Sequence, residues 1–178
     1  MKPALLLILL ALAPLSARAA EKEKVTWLFS QNAGKTWCAY ANAEDYKHAV
    51  GVQQPPETAR IVTFGGDVLE VEYQITPATG DWVVMDKYGY SAGKMVLNRT
   101  NLLLLEGLEV VQETTITGAK AAPFKVVSST NIDGSKEART ARSYPDVPVR
   151  TSWQAFAFLD VAKKLAAAGG PELCDKVN

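Results

Sequence analysis

Hydrophobic and polar residues alternate with a period of two through the middle of this chain. Residues 60–64 (RIVTF) lead into Gly65-Gly66, a two-residue hairpin signal, and residues 67–75 (DVLEVEYQI) run back. In that second run Leu69, Val71, Tyr73 and Ile75 share one face. Val68, Glu70, Glu72 and Gln74 take the other, the pattern of a half-buried strand. Turn chemistry at 77–80 and 89–93 brackets a strand at 81–88, and residues 94–100 return. Glu106-Gly107 precedes a strand at 108–117, and a loop at 118–123 precedes one at 124–130, which ends before Asp133-Gly134. Six strands joined by short connections pair in succession and predict a meander.

Near the C-terminus the period changes. Trp153, Phe156, Ala157, Leu159, Ala162 and Leu165 recur at helical spacing, with Thr151 or Ser152 as N-cap and Gly169-Gly170-Pro171 as a stop. This predicts one amphipathic helix of about four turns lying on the sheet. In the N-terminal third, residues 25–29 and 35–41 read as strands and 42–50 as a short helix capped by Asn42. The fold class is therefore a β-rich α+β protein. Its antiparallel meander is either barrel-like or a helix-grip curved sheet, with one C-terminal amphipathic helix.

The first 20 residues read as a signal peptide. Lys2 is followed by an apolar run over residues 5–13, shorter than the ~20 residues a spanning helix needs. Ala17-Arg18-Ala19 offers small residues at the −3 and −1 positions of a cleavage site. Residues 21–178 then form a single β-rich domain, periplasmic or secreted, and no later run predicts a membrane span.

Charge and cysteine usage narrow the chemistry. The chain has 19 basic and 19 acidic residues; removing Lys2 and Arg18 with the leader leaves 17 against 19, or −2. The densest basic group, Lys136, Arg139 and Arg142, has Asp133 and Glu137 beside it, so no footprint for nucleic acid is expected. Two cysteines in an exported chain predict one disulfide, Cys38–Cys174. Were they free, Cys38 with His48 as base and Asp45 as orienting acid would be the candidate thiol nucleophile. One histidine and two cysteines are too few for a typical zinc site, and no cofactor motif occurs, so neither metal nor cofactor is expected. Asn98-Arg99-Thr100 matches a glycosylation sequon.

Residues 102–105 are four consecutive leucines, which breaks the alternation. Either both faces of that strand are buried, or an apolar surface is offered to a ligand or partner. The leading functional expectation is a non-enzymatic binding module of the cell envelope. Tyr73, Trp82, Tyr88, Leu103 and Leu104 would contact an apolar small molecule or another envelope protein. The alternatives are a small envelope-associated enzyme using carboxylates such as Glu70 and Glu72, or a structural or assembly protein.

Overall fold

The computed structural model describes residues 22–53, 55–133 and 144–177. The leader and the group Lys136, Arg139 and Arg142 lie outside the described residues. Among the described residues ten strands form one sheet: β1 (Lys24–Ser30), β2 (Thr36–Tyr40), β3 (Glu57–Phe64), β4 (Asp67–Ile75), β5 (Trp82–Ser91), β6 (Lys94–Leu103), β7 (Leu108–Thr117), β8 (Lys120–Ala121), β9 (Lys125–Asn131) and β10 (Glu172–Lys176). The order is β10-β2-β1-β3-β4-β5-β6-β7-β8, with β9 also pairing β7. Every pairing is antiparallel. The sheet is curved and not closed.

Strands β3 to β7 are the expected meander. Gly65 and Gly66 make its first turn at φ values of 60° and 92°, a conformation that favours glycine at both positions. One helix, α1 (Ala43–Gln53), carries the chain from β2 past β1 to β3. The Asn42 side chain accepts the Glu44 backbone N–H at 2.7 Å and caps it. The other, α2 (Phe158–Ala168), lies on the opposite face, here called the inner one, and ends at left-handed Gly169 (φ 67°).

Inward residues of the strands close on α2. Leu28, Ile61, Val71, Tyr73, Tyr88 and Leu97 pack with Phe158, Leu159, Val161 and Leu165 in the main core. A smaller cluster, Leu103, Leu108 and Val110 with Trp82, lies at the far end of β5–β7.

Two local expectations are corrected, and the alternatives for the leucine run are resolved. The C-terminal helix begins at Phe158 rather than near Ser152. A single 3-10 turn, Trp153–Ala155, is followed by extended Phe156, and the Ser152 side chain makes no cap. The break lets the Phe156 ring drop between Tyr88 and Phe158, at 5.0 and 5.3 Å, which a continuous helix would forgo. A β-bulge, where Val62 faces Glu70 but Thr63 faces Val68, reverses parity at the start of β4, so Val68 packs on the core and Leu69 is exposed. The leucine run is split by a turn: Leu103 ends β6 facing inward, while Leu104 and Leu105 are exposed.

Candidate functional site

Inside the curved sheet the two apolar clusters are separated by a row of buried polar side chains. Asp86, Arg99 and Gln112 stand side by side on β5, β6 and β7. Arg99 donates two hydrogen bonds of 2.7 Å to the Asp86 carboxylate and a third, of 2.8 Å, to the Val147 carbonyl. Its guanidinium also lies 5.1 Å from the Phe124 ring centre. Asn101 donates to Gln112 Oε1 at 2.9 Å. The Tyr88 hydroxyl donates to Asp86 and accepts the Arg150 N–H. Burial, followed by the Asp86 charge, pushes the Tyr88 hydroxyl well above the usual tyrosine range. Residues 144–152 thus cross the inner face as a strap held by Arg99 and Tyr88, and they fill its middle.

The structure separates the residues singled out from the sequence. Tyr73 and Tyr88 belong to the packed core, with Tyr73 against Trp37, Phe156 and Phe158 and its hydroxyl donating to Glu57 Oε2 at 2.9 Å. Trp82 and Leu103 are register partners on β5 and β6. They line a recess of about 360 Å³ with Asp81, Leu105, Glu106, Tyr144 and Pro145. Leu104, in the adjoining turn, does not line it. Two of the five residues therefore line one recess, with Leu104 next to it and Tyr73 and Tyr88 in the main core.

Glu70 and Glu72 do share a strand face, and it is the outer one. Arg60 lies 3.0 and 3.3 Å from their oxygens and Lys87 lies 2.9 and 3.3 Å away, so each carboxylate has two cationic neighbours. Cys38 and Cys174 form the expected disulfide, directly opposite each other on β2 and β10 with Cα atoms 4.0 Å apart. This leaves no thiol for a nucleophile beside His48.

A larger hollow was not anticipated. At the end of the sheet opposite Trp82, a groove of about 520 Å³ opens between α2 and the β3–β4 hairpin. That volume lies in the range of small-molecule sites, about 300–1,000 Å³. Ile61, Val68, Leu159 and Ala162 make its apolar floor, with Ala166 on its α2 side. Thr26 and Thr63, Gly65 and Gly66 complete the sheet wall, and Lys22, Lys24 and Lys163 stand at the margin. Small side chains account for the space: alanines on α2 face threonines and glycines across it. The available signal was parity, because Thr26 and Thr63 occupy inward positions in line with Leu28 and Ile61, where a filled core would place larger apolar groups.

No known protein family, curated protein or solved structure matches the chain.

Proposed function

We propose that this protein is an exported binding module that holds an apolar ligand in the groove between α2 and the β3–β4 hairpin. The observation that carries the reading is the groove itself, a hollow between α2 and the hairpin, lined by Thr26, Thr63, Val68 and Ala166 above the buried core residues Ile61, Leu159 and Ala162. The disulfide fits an oxidising compartment. No helix among the described residues is long and apolar enough to cross a membrane. Both agree with a periplasmic or secreted location. A carboxylate-using enzyme is the weaker alternative, since Glu70 and Glu72 are already engaged by Arg60 and Lys87 on the outer face.

The test is to export the full chain, purify it without detergent, and extract it with organic solvent for mass spectrometry. Nile red fluorescence is measured on the stripped protein. The proposal expects stoichiometric co-purifying lipid or saturable dye binding, and the absence of both would reject it. One observation favours a protein partner as the second reading: Leu104 and Leu105 are exposed beside Tyr144 and Trp82 at the far end. That reading expects a fixed partner in pull-downs, lost on Leu105→Ser.

A further inference from the structure

The margin of the groove differs from its floor. Lys22 and Lys24 are two residues apart, with Lys24 on the inward parity of β1, and both line the groove, as Lys163 does from α2. No acidic side chain is among the described residues lining it. Neither Lys22 nor Lys24 forms an ion pair among the described residues. Lys163 reaches Asp160 at 3.3 Å, but both side chains are about three-quarters exposed, and such a surface pair contributes little. The chain as a whole has equal numbers of basic and acidic residues, so three lysines around one apolar hollow are a local feature rather than a sample of a basic surface. Like charges that line one hollow repel, and a bound anion relieves that repulsion.

We infer that the groove takes a single-chain amphiphile with an anionic carboxylate or phosphate head, its chain on Ile61, Val68 and Leu159 and its head among Lys22, Lys24 and Lys163. The inference rests on the groove being the binding site and adds the chemistry of the ligand. Floor and margin divide the work: burial of the chain supplies affinity, and the lysines select the head and fix which end enters.

Calorimetric titration of the purified protein with dodecanoate, dodecyl phosphate and dodecanol at neutral pH tests this. At least one of the two anions is expected to bind more tightly than the alcohol, by about tenfold if three exposed charge contacts of ordinary strength combine. Which anion binds more tightly identifies the head group. In the Lys22→Gln/Lys24→Gln/Lys163→Gln variant the advantage of the anions over dodecanol should vanish. Equal affinity for all three compounds in the unmodified protein overturns the head-group inference and leaves the groove standing. The Ala166→Trp variant, at an exposed position, should block binding of all three. Failure of every compound to bind, or unchanged binding by Ala166→Trp, removes the groove reading and this inference with it.

Discussion

Asp86 and Arg99 face each other across β5 and β6, both almost wholly out of water, joined by two hydrogen bonds of 2.7 Å. Replacing Arg99 by Met would leave the Asp86 carboxylate with the Tyr88 hydroxyl at 3.3 Å and free the Val147 carbonyl. Removing one partner of a buried pair typically costs about 3–5 kcal/mol, so urea unfolding of Arg99→Met should show a loss of that order. The double variant Asp86→Leu/Arg99→Met should recover most of it, since no charge is then left buried. A loss below about 1 kcal/mol in the single variant would mean that water reaches the pair.

The disulfide joins two strands that are remote in sequence. It links residues 136 apart and fastens β10, the strand after α2, to β2. The chain-entropy account gives roughly 5 kcal/mol as an upper figure for so long a loop. Cys38→Ala/Cys174→Ala should lose about 2–5 kcal/mol in denaturant unfolding. Thiol titration of the denatured, unreduced protein should find no free thiol, and one or two would contradict the bridge.

The leucine run offers a contrast at two positions separated by one residue. Leu103 packs in the small core with Leu108, Val110 and Trp82, whereas Leu105 is 82% exposed. Leu103→Ala should cost about 2–5 kcal/mol. Leu105→Ser should stay within about 0.5 kcal/mol of the parent. Similar thermal shifts for the two would place the turn wrongly.

Much of the fold was legible because period-two patterns between short turns leave few pairings open. The boundaries of β4 and β7 follow from alternation, and the partner of Cys38 follows from there being two cysteines. Leu69 misled because a bulge is visible only in register with Val62 and Thr63 across the hairpin. The helix start misled because Trp153 and Phe156 have helical spacing, yet Phe156 is claimed by the Tyr88 and Phe158 rings. Strand β8, with two residues, is too short to show a pattern. In the candidate site, the pairing of Trp82 with Leu103 follows from the meander. The groove does not, because its walls come from β1, β3, β4 and α2 and meet only once α2 docks.

Two tyrosines tie the core to pH. Burial, with the Glu57 charge next, raises the Tyr73 hydroxyl well above the usual tyrosine range, as burial and Asp86 do for Tyr88. A folded value raised above the unfolded one stabilises the protein fully below the unfolded value of about 10. That stability is lost as the pH climbs from there through the folded value. In a spectrophotometric titration of the folded protein, Tyr73→Phe and Tyr88→Phe should each remove a late-forming phenolate. If either variant instead removes one that forms near 10 in the folded protein, the hydroxyl is not buried as described.

The most direct test of the binding groove is a nuclear magnetic resonance titration of the isotopically labelled protein with dodecanoate. Saturable shifts are predicted for the amides of Thr26, Thr63, Gly65 and Gly66 and the methyl groups of Ile61, Val68, Leu159 and Ala166. The Trp82 indole and the Leu103 and Leu105 methyls should stay unmoved. Shifts confined to Trp82, Leu103 and Leu105, or no saturable shift anywhere, would contradict the account.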